Sequence, residues 1–283
     1  FRVTVPAAER RREETPPPQP AGGRGYMSNY GRVYQGQRGG ARSGDDLIAA
    51  MDAAGVDIGV LQAEWASGDV TALNDGALRL AAAHPKRLIP YVTVNPAEYG
   101  DLAEVVKAGV DRGARGVNLQ PFSYRLHCND KRFYPLYAKC QEMGLPVTVH
   151  TSINFSNDRS IDFGRPLYLC EVACDFPDLK LVANHGGWPW VTEMVAVAWK
   201  HPNVYIEIGA VSPKYIGTPG SGWEPLMLYG NRSLLEDRVL FATDSMLPFE
   251  RVISELRELP LKPEVTTKWL GANAARLLGL GEA

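Results

Sequence analysis

What most constrains this chain is its rhythm. From Ser43 onward, short apolar runs alternate with stretches of helical periodicity, and the alternation continues to the C-terminus. The first helical stretch shows the pattern. Ser43 stands as an N-cap with Asp45 and Asp46 in the first turn. Leu47, Ile48, Met51 and Ala54 recur at helical spacing, and Gly55 stops the run. The segments Asp57–Leu61, Leu88–Val94, Gly116–Leu119, Pro146–His150, Lys180–Ala183, Val204–Ile208 and Arg238–Phe241 read as strands. Helices are predicted around Leu73–Ala83 and over Asp101–Asp111, Phe133–Met143, Pro166–Cys174, Trp188–Lys200, Phe249–Leu259 and Pro263–Leu278. Strands that are apolar on both faces and alternate with helices build a parallel sheet. Seven such strands follow residue 55, and the β-rich Phe1–Val5 is the candidate eighth. The expected fold is therefore α/β, a (β/α)8 TIM barrel. An open doubly wound sheet usually shows a glycine-rich phosphate loop after its first strand, and none is present.

The 283 residues suit one such barrel, and 45% apolar residues supply its core. One barrel domain over 1–283 is expected, with 6–42 as a Pro/Gly-rich loop or lid after the first strand. In a barrel that position lies on the face where substrates bind. The aromatic residues Tyr26, Tyr30 and Tyr34 favour a partly ordered lid over a disordered arm. A net charge of −2 without charged blocks gives no reason to expect nucleic-acid or membrane partners. No stretch is apolar for long enough to cross a bilayer. Cys170 and Cys174, four apart on a predicted helix, are poorly placed for a disulfide and read as small buried apolar residues. A reducing, cytoplasmic setting is the expectation.

Residues just past the strand C-termini of a barrel face its active site. The third, fourth and sixth strands deliver Asn95, then Asn118, Gln120 and Phe122, then Asn184 and His185. The fifth delivers His150, the seventh Glu207 and the eighth Asp244. His84 and His201 precede prolines at the far end and read as solvated loop residues, and His127 is ambiguous. His150, His185 and Asp244 are the expected functional trio. Two imidazoles and a carboxylate can bind a divalent metal or act as a metal-free acid–base set.

Four segments carry a resemblance to a known family. They are Gly113–Pro121, Arg132–Tyr137 followed by Gly144–Thr151, His185-Gly186-Gly187-Trp188-Pro189-Trp190, and Arg238–Asp244. The closing Gly271–Leu278 adds to them. Together they resemble the amidohydrolase superfamily, in the branch of aminocarboxymuconate-semialdehyde decarboxylase and aromatic-acid decarboxylases. The resemblance implies His150 and Asp244 as metal ligands, with His185 as an acid/base or a third ligand. It implies one divalent metal, zinc or manganese, a small-molecule substrate and a homodimer.

The chain departs from that family at its first strand, where an Asp-x-His-x-His motif is expected. Arg2 and Thr4 occupy the two histidine positions. A guanidinium stays protonated and repels a cation, yet it binds carboxylates bidentately. Metal-free function is therefore favoured, with substrate held by Arg2, Thr4, Trp65, Asn118, Gln120, Phe122 and Trp188. The expected reaction is decarboxylation or another carbon–carbon lyase step on a small carboxylate or carbonyl compound. Two alternatives stand beside it: a metal-dependent hydrolase of an amide, ester or lactone, and a catalytically degenerate ligand-binding barrel.

Overall fold

The computed structural model describes residues 2–4, 43–62, 70–96, 100–156, 158–245 and 247–281. The expected lid, 6–42, lies outside the described residues, as does Trp65.

Eight parallel strands follow one another in chain order: β1 (Arg2–Thr4), β2 (Gly59–Gln62), β3 (Leu88–Thr93), β4 (Val117–Leu119), β5 (Val147–His150), β6 (Leu181–Asn184), β7 (Val204–Glu207) and β8 (Val239–Leu240). The sheet curls into a TIM barrel, and side chains from β2 and β8 line a common interior cavity. The expected first strand is present, with Arg2 in register with Val60 and Thr4 with Gln62.

The helices are α1 (Gly44–Ala53), α2 (Val70–Ala83), α3 (Leu102–Asp111), α4 (Pro121–Tyr124), α5 (Tyr134–Glu142), α6 (Leu167–Asp175), α7 (Val191–Lys200), α8 (Pro213–Ile216), α9 (Glu224–Gly230), α10 (Phe249–Arg257), α11 (Pro263–Thr267) and α12 (Asn273–Leu278). Ser43 caps α1 as expected, its hydroxyl accepting from the Asp46 N–H at 3.2 Å. Asp101 caps α3 by accepting from the Ala103 N–H at 2.9 Å. Each cap satisfies a backbone donor that the first turn leaves unpaired. Two expected helices differ in extent. The one predicted from Trp188 begins at Val191, because Gly186 and Gly187 take positive φ and set a separate turn ahead of it. The last one is interrupted by a π-helical turn over Lys268–Ala272.

The main core fills the space between strands and helices, with Leu119, Phe133, Leu136, Val149, Leu181 and Ile206 all fully buried within it. Each such side chain contributes about 1.5–3 kcal/mol by leaving water. A second cluster, with Leu47, Met51, Leu61 and Leu80, packs α1 and α2 onto β2. Inside the barrel, Val182 and Leu240 meet Leu277 of α12, so the C-terminal helix closes the end where the strands begin. Lys180 Nζ donates to the Leu277 carbonyl at 3.1 Å, and Asn273 Nδ2 donates to the carbonyls of Glu236 and Val239, each at 2.9 Å.

Candidate active site at the strand ends

Polar side chains fill the barrel beneath its mouth. Asn118 Nδ2 donates to Thr93 Oγ1 at 3.2 Å, and Thr148 Oγ1 donates to Asn118 Oδ1 at 3.1 Å. Residues two apart on a strand share a face, so His150 stands one layer above Thr148. A small cavity below the mouth is bordered by Gln62, Tyr91, Thr148, Asn184 and Glu207. Gln62 Oε1 and both amide atoms of Asn184 are buried there without a protein partner. Buried amides are normally satisfied, so this lining suits water or a polar ligand.

His150 ends β5, and His185 directly follows β6. Their ring centroids are 4.8 Å apart at 62°, and the Phe122 ring lies 4.6 Å from that of His150. His185 Nδ1 lies 3.0 Å from the Gly209 carbonyl. A carbonyl only accepts, so Nδ1 carries the proton and Nε2 is the basic nitrogen of the neutral ring. His150 is fixed the other way, with Nε2 donating to the Ile153 carbonyl at 3.3 Å. Glu207, at the end of β7, is buried and accepts from the Gly209 N–H, so it braces the loop that orients His185.

Backbone conformation marks the same region. The non-glycine residues with positive φ among those described are Arg125, His185, Ala210, Asp244 and Ser245. All five lie past strand C-termini, and such residues gather where the surrounding structure holds functional groups. Gly186, at φ +64°, follows His185 beneath the Trp223 indole, and a Cβ there would meet that ring at 2.5 Å. The His185-Gly186-Gly187 turn therefore needs glycine at its centre.

The structure brings His150, His185 and Phe122 together, and it buries Asp244, Asn118 and Gln120 at or below the mouth. Trp188 does not join this buried group, being 39% exposed, whereas Trp223 is buried over Gly186. Arg2 and Thr4 lie on β1, in register with Val60 and Gln62, and their side chains lie outside the described residues. Glu207 and Asn184 stand at strand ends as expected, where the sequence alone assigns them no role. Their signal was burial of a carboxylate and an amide on otherwise apolar strands.

Two expectations away from the mouth are corrected. His201 is not a solvated loop residue; it is buried, because Arg238 and the ends of α6 and α7 enclose it. Cys170 is only half-buried and Cys174 is exposed, because both lie on the outer side of α6. His127 lies partly buried in the loop after β4, where its Nε2 meets Asp162 Oδ2 at 2.9 Å.

The sequence profile of the amidohydrolase family matches residues 30–280. The chain belongs to the amidohydrolase family. It is an enzyme fold of decarboxylase-type and related relatives, and three of them frame it. A 2-amino-3-carboxymuconate-6-semialdehyde decarboxylase of Dictyostelium discoideum is 23% identical over 238 residues, 74% of this chain and 66% of that protein. An uncharacterized TIM-barrel protein from Bordetella bronchiseptica superposes with a TM-score of 0.72 at 27% identity, covering 99% of each chain. A 5-carboxyvanillate decarboxylase from Novosphingobium aromaticivorans, solved with manganese and a nitrobenzoic acid ligand, gives a TM-score of 0.63. It is 17% identical and covers 82% of this chain and 79% of its own, a likeness of fold.

The manganese of that decarboxylase raises the question of which donors this chain offers at its strand ends. Among the described residues, His150, His185 and Asp244 do not bring three ligand atoms within 4.8 Å of one another; the one His/Cys/Asp/Glu group that does is elsewhere. A bound metal needs its donors about 3–4 Å apart. The described residues of this amidohydrolase therefore do not form a three-donor centre at the strand ends, and no chemical step is derived through a metal.

Proposed function

We propose that the barrel mouth acts on a small carboxylate-bearing compound in a decarboxylase or related carbon–carbon lyase reaction. The observation that carries this reading is the pairing of His150 and His185 in opposite tautomers at adjacent strand ends. His185 presents a basic Nε2 whose orientation is fixed from behind by Gly209. In decarboxylation the bond between the carboxylate carbon and its neighbour breaks and carbon dioxide leaves. The electron pair stays on the neighbouring carbon, which takes a proton. His185 Nε2 takes up a proton from solvent and delivers it to that carbon, returning to the neutral ring. Asp244 holds the charge of the imidazolium or the orientation of the substrate. Phe122 walls the site against His150, and Asn118 and Gln120 line its base.

The chain aligns with 66% of its decarboxylase relative, so the substrate is proposed only as a class. Arg2, at its register position beside Val60, is proposed to hold the substrate carboxylate in a metal-independent reaction. The test is a screen of aromatic and unsaturated carboxylic acids by carbon dioxide release. It is run on protein of known metal content, before and after chelation. Turnover that survives chelation and is lost in His185→Asn supports the reading. Turnover confined to amide, ester or lactone hydrolysis, and restored only by zinc or manganese, replaces it with the hydrolase reading.

A further inference from the structure

Helices of a barrel run back toward the strand N-termini, so the end of α6 and the residue after α7 lie opposite the catalytic mouth. There Cys170, Cys174 and His201 bring one ligand atom each within 4.8 Å of one another. His201 Nε2 lies 3.2 Å from Cys170 Sγ and 3.9 Å from Cys174 Sγ. In a tetrahedral zinc site with ordinary bond lengths, a sulfur and a nitrogen ligand stand about 3.6 Å apart. The two observed distances bracket that value.

The arrangement is held from behind. Cys170 and Cys174 are one turn apart on α6, where positions i and i+4 share a face. The His201 N–H donates to the Val197 carbonyl at 3.0 Å. Its carbonyl accepts from Arg238 Nη1 at 2.8 Å, and Arg238 also donates to the Ala198 carbonyl. The other two cysteines, Cys128 and Cys140, are buried, and burial pushes their thiols up to about 12. Lys200 Nζ lies 3.5 and 3.7 Å from the two sulfurs on an exposed side chain that can swing aside.

We propose that Cys170, Cys174 and His201 form a binding site for one zinc-type metal ion, with the fourth position open to solvent. Two thiolates and a neutral imidazole suit zinc and its analogue cobalt(II). Binding forms two metal–sulfur bonds and one metal–nitrogen bond, and the thiol protons pass to solvent. The site stands independently of the reaction proposed at the barrel mouth.

The test is cobalt(II) titration of the full chain, followed by near-ultraviolet absorption. Donors at the strand ends are nitrogen and oxygen, so a thiolate-to-cobalt charge-transfer band reports this site alone. One equivalent should develop the band, and zinc should abolish it. Cys174→Ser should weaken binding at least tenfold, with circular dichroism confirming the fold. A second measurement uses the unaltered protein: zinc should slow alkylation of the exposed Cys174 at least tenfold. A folded protein that gives no band, or equal alkylation with and without zinc, overturns the proposal.

Discussion

His150 and His185 leave adjacent strand ends with their ring centroids 4.8 Å apart, and each is fixed by a backbone carbonyl through a different nitrogen. His185 also has φ of +67°, a conformation that asparagine tolerates well among side chains. His185→Asn should therefore keep the fold while removing the proton-transfer group. We expect kcat to fall by roughly 10²–10⁴-fold with little change in thermal midpoint. Retained kcat in a folded variant would falsify the assignment of His185 to proton transfer.

Gly186→Ala tests the turn behind that histidine. The added methyl would meet the Trp223 ring at 2.5 Å on a backbone already at φ +64°. The indole is buried and cannot retreat freely. A loss of about 1–3 kcal/mol in stability is expected, read by denaturant unfolding. Displacement of His185 should lower kcat further. Wild-type values of both would show that the turn has slack the geometry does not reveal.

Much of this was legible in the sequence, and the exceptions have physical causes. Strand and helix alternation is a local signal, so β2 through β8 could be read from runs of four to seven residues. The positions of His150, His185 and Asp244 followed, since a barrel puts strand ends at its mouth. The short helices α4, α8 and α9 were not read, because four to seven residues do not establish a helical period. The Cys170–His201 contact was invisible for another reason. The residues are separated by 31 positions, and only the packing of α6 on α7 joins them. Trp188 and Trp223 show the same limit: both are aromatic and near the mouth in sequence, yet one is exposed and the other buried.

Asn273 tests the closure of the barrel floor. Its fully buried amide donates to the carbonyls of Glu236 and Val239, and its Oδ1 accepts from Arg276 Nη2 at 3.1 Å. Asn273→Ala strands one buried acceptor, the Val239 carbonyl, and one half-buried acceptor, the Glu236 carbonyl. A loss of about 1–3 kcal/mol is expected, measured by chemical denaturation. Because the floor lies opposite the mouth, KM should stay within about twofold of wild type at temperatures where the variant is folded. A stability loss below about 0.5 kcal/mol would mean that water replaces the amide without cost.

Asp130 gives the protein an acid-sensitive joint. Its Oδ1 accepts from the Arg132 N–H at 3.0 Å and from Arg132 Nε at 2.8 Å, while Oδ2 accepts from Nη2 at 2.8 Å. The hydrogen bonds from the Arg132 side chain hold the carboxyl down at about 2, against a smaller upward push from burial. An unfolded aspartate titrates near pH 4. The folded value is the lower one, so the charged carboxylate favours the folded state above about pH 4. That contribution drains away as pH falls from about 4 toward 2. Asp130→Asn keeps the shape and removes the charge. Its thermal midpoint should lie below wild type at pH 7, by a small amount because Arg132 is largely exposed to solvent. The gap should close between pH 4 and pH 2, and added salt should shrink it at neutral pH. A gap that persists unchanged at pH 2 would show that Asp130 acts through its cap geometry on the turn at Lys131–Phe133 rather than through its charge.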